Sequence, residues 1–273
     1  MFKDVAVIVD GNNGKAGAYA SSLAALLGAH LTTIAVNIGS DFEDFAAAEP
    51  RYDMIVAERE NQEEATNKAV EQIRSEALGE GVDVTSLWLD NVGDGGLVRL
   101  DEMTRTFDLV VMDQASPDKP SERTRLIHSI VLKSGRPVLL VPYIQTRRAH
   151  FSCVLVAWDG SAPAARALGD AMPLLERADR VELLRIDGNG ASGYDIAGSA
   201  VRRHLSRHAI DATFRRTSSA GDTGATLLSQ AADASADLLV MGAYGHTPLR
   251  EALFGGTTRT VLRSMTMPVL MSR

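Results

Sequence analysis

Three short apolar runs occur in the same order in the two halves of the chain, and this repetition constrains the fold more than any other feature. Val5-Ala6-Val7-Ile8-Val9-Asp10-Gly11 corresponds to Val154-Leu155-Val156-Ala157-Trp158-Asp159-Gly160, each closed by Asp-Gly as a buried strand entering a turn should be. Phe107-Asp108-Leu109-Val110-Val111-Met112 matches Ala236-Asp237-Leu238-Leu239-Val240-Met241. Arg136-Pro137-Val138-Leu139-Leu140-Val141 matches Met267-Pro268-Val269-Leu270-Met271.

Between these runs the apolar spacing changes to that of a helix. It predicts helices over Ala16 to Leu27, Glu63 to Leu78, Ala162 to Leu175, Ile196 to His208 and Thr223 to Ala232. Further apolar runs at Leu31 to Val36, Val82 to Leu89, Val181 to Ile186 and Ile210 to Phe214 complete a β-α-β-α-β-α-β-α-β order in each half. Nearly continuous apolar strands alternating with helices imply a parallel sheet covered on both faces by right-handed crossovers. The expectation is therefore an α/β protein made of two tandem five-stranded, Rossmann-like parallel-sheet sandwiches. The polar stretch Tyr143 to His150 marks the boundary, giving domains at 1–143 and 151–273, each of ordinary domain size.

Composition narrows the function classes. A net charge of −7 argues against a broad basic footprint for nucleic acid or an anionic membrane, which needs a clustered surplus of Lys and Arg. No run approaches the roughly 20 apolar residues of a membrane span, and the N-terminus meets Asp4 and Asp10 too early for a signal peptide. The single cysteine, Cys153, lies in an apolar run and reads as a small buried thiol. These features together describe a soluble cytoplasmic protein.

In a sheet of this kind ligands bind beyond the carboxyl ends of the strands, where strand order reverses. After the fourth strand of the second half comes Gly242-Ala243-Tyr244-Gly245-His246, and, after Phe254, Gly255-Gly256-Thr257-Thr258-Arg259 leads into a helical pattern at Thr260 to Ser264. A glycine-rich turn before a helix start presents backbone N–H groups to one place, and the missing Cβ atoms let a phosphate approach. The helix adds its partial positive charge, and Thr257 and Thr258 offer caps or hydroxyl donors. A bulky residue at Gly242 or Gly245 is expected to block the phosphate while leaving the sheet folded.

This constellation resembles the universal stress protein family, whose nucleotide-binding members carry Gly, two residues, Gly, nine residues, then Gly and Ser or Thr. Gly242, Gly245 and Gly255 keep that spacing; Gly256 stands where the hydroxyl residue is usual, with Thr257 one place later. The resemblance implies an adenine nucleotide alpha hydrolase-like fold with the halves packed as a pseudo-dimer, Val269-Leu270-Met271 being the candidate edge, and it allows a homodimer of whole chains in addition. It implies that ATP or a related adenine nucleotide, with or without Mg2+, is held by Asp159, Gly160 and Ser161 after the first strand of the second half. Ile186 takes the place of the residue whose backbone recognises adenine, and Met241, Gly242, Tyr244, Gly245, His246, Gly255, Gly256, Thr257 and Thr258 line the phosphates. Gly221-Asp222-Thr223 stands where many members have Gly-x-Pro.

Other patterns are weaker. Gly188-Asn189-Gly190-Ala191-Ser192-Gly193 has the form of a dinucleotide fingerprint but follows the wrong strand, and Gly11-Asn12-Asn13-Gly14-Lys15-Ala16 is too short for a P-loop. His204 and His208 are four residues apart without a Cys or carboxylate pattern, so a solvated helix face is expected. No catalytic constellation is legible, and ATP turnover is expected to be slow at most. Met112-Asp113-Gln114-Ala115-Ser116 replaces the glycines in the first half, so nucleotide binding is expected in the second half alone; Lys119, Arg123 and Arg125 offer a different anion site. Three functions stay open: a nucleotide-binding stress-response protein acting by conformation or partner choice, a slow ATPase or self-phosphorylating enzyme, and a ligand-free interaction module.

Overall fold

The computed structural model describes residues 1–11, 14–37, 52–89, 96–115, 122–187, 196–219, 221–244 and 256–273. The β-α-β-α-β-α-β-α-β order runs through it twice. The chain divides into an N-terminal unit, Phe2–Arg136 with Thr146–Ala149, and a C-terminal unit, Pro137–Gln145 with His150–Arg273 and Met1.

The N-terminal unit contains β1 (Asp4–Val9), α1 (Ala16–Leu27), β2 (His30–Val36), α2 (Tyr52–Gly79), β3 (Val84–Leu89), α3 (Gly96–Thr104), β4 (Leu109–Asp113) and α4 (Glu122–Lys133). Its strands lie in the order β3-β2-β1-β4, all parallel. Val5, Ala6 and Val7 and, on β4, Leu109, Val110 and Val111 are fully buried, which explains why these runs are apolar without alternation.

The C-terminal unit contains β5 (Val138–Val141), β6 (Val154–Ala157), α5 (Ala162–Leu175), β7 (Val181–Asp187), α6 (Ile196–Arg207), β8 (Ala212–Ser218), α7 (Thr223–Asp233), β9 (Leu238–Gly242), α8 (Gly256–Ser264) and β10 (Val269–Ser272). The strand order is β5-β10-β9-β6-β7-β8. All neighbours are parallel except β5, which runs antiparallel to β10 with Leu140 opposite Val269. β5 closes the first repeat in sequence and is grouped with the C-terminal unit, where it pairs with β10. The free edge expected at Val269 to Met271 is where it docks.

Helices α1 and α5 keep the bounds read from the sequence. β8 starts at Ala212, not Ile210, because Ile210 belongs to the end of α6: Ala209 turns left-handed at φ 59° and the Ile210 N–H donates to the Leu205 carbonyl. In both units the first strand lies between strands that leave in opposite directions, β1 between β2 and β4, and β6 between β7 and β9. The carboxyl ends of β6 and β9 therefore flank the point where strand order reverses.

Candidate functional site

Beyond β6 the chain passes Trp158, Asp159, Gly160 and Ser161 before α5 begins. Asp159 is exposed, and its Oδ1 accepts the Ser161 N–H at 2.8 Å. Ser161 caps α5 by accepting the Ala164 N–H at 3.2 Å. Gly160 sits at φ 79°, a conformation costly for a side-chain-bearing residue, and nothing lies within 4 Å of where a Cβ would stand.

Gly242 at the end of β9 is different. A Cβ there would lie 2.5 Å from the Ala164 nitrogen and the Pro163 carbonyl carbon. The start of α5 rests backbone to backbone on the strand end, so the absent side chain serves packing. This corrects the expectation that a bulky residue at Gly242 would leave the sheet undisturbed. Room beside the backbone is found at Gly160 and at Gly256, where again nothing lies within 4 Å of a Cβ.

Two residues on, Tyr244 holds a left-handed backbone at φ 56°, and burial pushes its hydroxyl well above the usual tyrosine range. Between them the Ala243 N–H donates to the Ser272 carbonyl at 2.8 Å, tying the turn to β10.

The first turn of α8 is anchored from α7. Asp222 caps α7, its Oδ1 accepting the Gly224 N–H at 2.7 Å and the Ala225 N–H at 3.3 Å. Its Oδ2 accepts the Thr260 hydroxyl at 2.7 Å. The Thr260 hydroxyl chiefly, with the two N–H groups, holds the Asp222 carboxyl below its ordinary value. Gly224 lets the helices meet: a Cβ on it would be 2.7 Å from the Thr260 Cβ and 2.9 Å from the Thr257 carbonyl oxygen.

The fold thus carries Asp159, Gly160 and Ser161 after β6, Ile186 near the end of its neighbour β7, and Met241 and Gly242 at the end of its other neighbour β9. Ile186 pairs in register with Thr217, and Met241 is buried beside Met271. Gly256, Thr257 and Thr258 open α8, with Gly256 exposed, Thr257 half-buried and Thr258 buried. Gly245, His246 and Gly255 lie outside the described residues, as does the Gly188 to Gly193 run. Asp222 and Thr260 were missed as a pair from sequence; the signal was Asp222 two residues before Gly224 at a helix start, a capping pattern. His204 and His208 face each other, ring centroids 4.9 Å apart, and no group of three or more His, Cys, Asp or Glu suited to a metal occurs among the described residues.

Residues 150–273 match the model of the universal stress protein family. No curated protein sequence matches the chain. A universal stress protein from Archaeoglobus fulgidus has the same fold over 98% of this chain and 96% of its own, at 14% identity and a TM-score of 0.71. A protein of unknown function from Pseudomonas aeruginosa PAO1 covers 99% of this chain and 92% of its own, at 16% identity and a TM-score of 0.61. A universal stress protein solved in complex with cAMP covers 52% of this chain and 98% of its own, at 17% identity and a TM-score of 0.35, too slight a superposition to transfer a ligand. Among the described residues no helix is long and apolar enough to cross a membrane.

The universal stress protein match begins at residue 150, and the N-terminal unit is built differently at the corresponding places. Asp113 ends β4 where Gly242 ends β9. Its Oδ1 accepts the N–H groups of Lys15 at 2.6 Å and Ala16 at 2.8 Å, so a carboxylate caps α1 where α5 is capped by Ser161. A Cβ on Gly14 would stand 1.7 Å from the Asp113 Oδ2. Burial pushes the Asp113 carboxyl above its ordinary value of 3.8, as does the nearby Asp10 charge, against the pull of the Ala16 N–H and the Arg123 charge. Asp10, the counterpart of Asp159, is buried and clasped by one edge of the Arg123 guanidinium, Nε donating to Oδ2 at 2.7 Å and Nη2 to Oδ1. Arg123 is therefore engaged with Asp10, and Lys119, the first residue of the alternative anion site, lies outside the described residues.

Proposed function

We propose that the C-terminal half binds an adenine nucleotide, ATP or a close relative, and acts through the conformation it then adopts or the partner it then accepts. The observation that carries this reading is the placement of Asp159 to Ser161, Gly242 and the start of α8 on one unit, the unit that matches the universal stress protein model. The first two flank the point where strand order reverses. Open backbone at Gly160 and Gly256 suits the approach of phosphate oxygens, and the Ser161 and Thr257 hydroxyls supply polar partners. Asp159 is exposed, suited to accept from nucleotide hydroxyls, whereas Asp10 in the other unit is held by Arg123. Ile186, near the end of β7, offers backbone groups to the base. Mg2+ would accompany the nucleotide phosphates.

Turnover is expected to be very slow, since fast phosphoryl transfer needs a positioned water, a metal ligand and a cation near the transferred phosphate. The test is thermal unfolding of the full chain with and without ATP. A ligand present at about 100 times its dissociation constant stabilises the folded state by about 2.7 kcal/mol, a clear rise in midpoint. No rise at millimolar ATP, ADP and AMP would leave the ligand-free interaction module as the reading.

A further inference from the structure

Asp222 stands outside the residues that the nucleotide reading assigns to the ligand, yet its carboxylate bonds both the start of α7 and the side chain of Thr260 on α8. Oδ1 takes the N–H groups of Gly224 and Ala225 on α7, and Oδ2 takes the hydroxyl of Thr260 on α8. We infer that Asp222 is the positioning residue for the first turn of α8 and, through it, for the phosphates of the nucleotide; the second step rests on the function proposed above.

α7 is the fixed partner in this arrangement. It is capped by Asp222 and seated on the sheet by the buried Leu227 and Ala231. α8 is only nine residues long, with Thr258 and Val261 buried. Besides that packing, among the described residues two features on the α7 side locate its N-terminal half. One is the close approach at Gly224, where the Thr257 carbonyl and the Thr260 side chain leave no room for a methyl group. The other is the Asp222–Thr260 bond, whose acceptor is charged and therefore roughly twice as strong as a neutral one. Thr260 lies a full turn into the helix, so this bond orients α8 without using the N–H groups of Gly256 and Thr257. Those groups are what a phosphate would meet. Asp222 thus fixes the helix through a side chain and leaves its backbone start for the ligand.

The consequence is that Thr260 controls affinity without touching the nucleotide. The test uses the full chain and the variants Thr260→Val, Thr260→Ser and Gly224→Ala, with ATP affinity read by calorimetry and exchange of the amide protons of residues 256–258 read without ligand. Thr260→Val is expected to weaken ATP by about tenfold and to speed exchange in that turn, because it removes a hydrogen bond to a charged group. Thr260→Ser restores the hydroxyl and should return both readouts to the parent's. Gly224→Ala displaces the same turn from the α7 side and should weaken ATP independently. A Thr260→Val chain that binds ATP as the parent does overturns the inference. A parent that binds no nucleotide overturns the function proposed above instead, and the positioning role is then decided by exchange alone: no increase in Thr260→Val refutes it.

Discussion

Replacing Gly242 by alanine asks the start of α5 to accept a methyl group where there is no space for one. The added Cβ would stand 2.5 Å from two backbone atoms and 2.8 Å from the Pro163 Cβ. Apolar contacts settle at about 3.5–4.0 Å, so the first turn of α5 must retreat by about 1 Å or β9 must bend. Backbone yields less readily than a side chain tip, and overpacking of this kind costs about 1–3 kcal/mol. Alanine recovers about 0.5–1 kcal/mol of the backbone entropy that glycine loses on folding, so the midpoints of the two ranges leave a net loss of about 1.25 kcal/mol. At about 2–4 °C per kcal/mol for a protein of this size, the midpoint should fall by about 2–5 °C. The control is Gly256→Ala, where a Cβ meets nothing within 4 Å and the midpoint should stay close to the parent's. Thermal unfolding of the full chains, followed by circular dichroism without nucleotide, measures both. Equal midpoints for Gly242→Ala and the parent would refute the backbone-to-backbone contact of α5 with β9. A valine at this position is expected to cost more, so loss of ATP binding in Gly242→Val reports unfolding of the site's frame and not occupation of the phosphate's place.

The two first-strand aspartates should behave in opposite ways. Asp159→Ala is expected to leave the midpoint near the parent's and weaken ATP at least about tenfold, whereas Asp10→Ala leaves ATP affinity unchanged and costs about 3 kcal/mol by stranding the Arg123 guanidinium. Calorimetry and thermal unfolding on both variants separate the cases; equal ATP affinities for Asp159→Ala and the parent would misplace the site. Asp113→Asn tests the buried carboxylate: the folded-state value lies above 3.8, so the stability it contributes is present below that pH and is lost as pH rises through the raised value. The parent should therefore lose stability relative to Asp113→Asn between acid and neutral pH, and parallel pH profiles would contradict this. Ala209→Gly relieves an exposed left-handed residue at the end of α6 and should raise the midpoint, corresponding to about 1 kcal/mol; an unchanged midpoint would contradict the left-handed assignment.

The alternation of strands and helices was legible wherever local pattern and tertiary burial agree, as were the bounds of α1 and α5, whereas α2 starts at Tyr52 instead of Glu63 and α8 at Gly256 instead of Thr260. Val154 to Val156 and Leu238 to Val240 are apolar because both faces are covered, and Ser161 before Ala162 announces a capped helix. Ile210 misled because an apolar residue serves equally as the start of a strand or the closing contact of a helix end. The antiparallel pairing of β5 with β10 was not legible, since Val138 to Val141 reads as a buried strand whatever its neighbour. For the site, the spacing of Gly242, Gly245 and Gly255 pointed to phosphate contact, and the close approach of Pro163 and Ala164 to Gly242 could not be read from that spacing. Asp113 was recognisable as a departure from glycine. Its partners were not, because Lys15 and Ala16 lie 98 and 97 residues away and only the fold brings them to it. The same holds for Arg123 and Asp10, 113 residues apart, and for Asp222 and Thr260, 38 apart.

The central claim is an asymmetry: one nucleotide per chain, in the C-terminal half. Calorimetric titration of ATP into the intact chain tests it most directly, because β5 belongs to the C-terminal unit and a cut between residues 143 and 151 would separate it from the rest of that unit. The account predicts one ATP bound per chain, with that binding weakened in Asp159→Ala and unaffected in Asp10→Ala. Two equivalents per chain, or one that vanishes in Asp10→Ala and persists in Asp159→Ala, would contradict it.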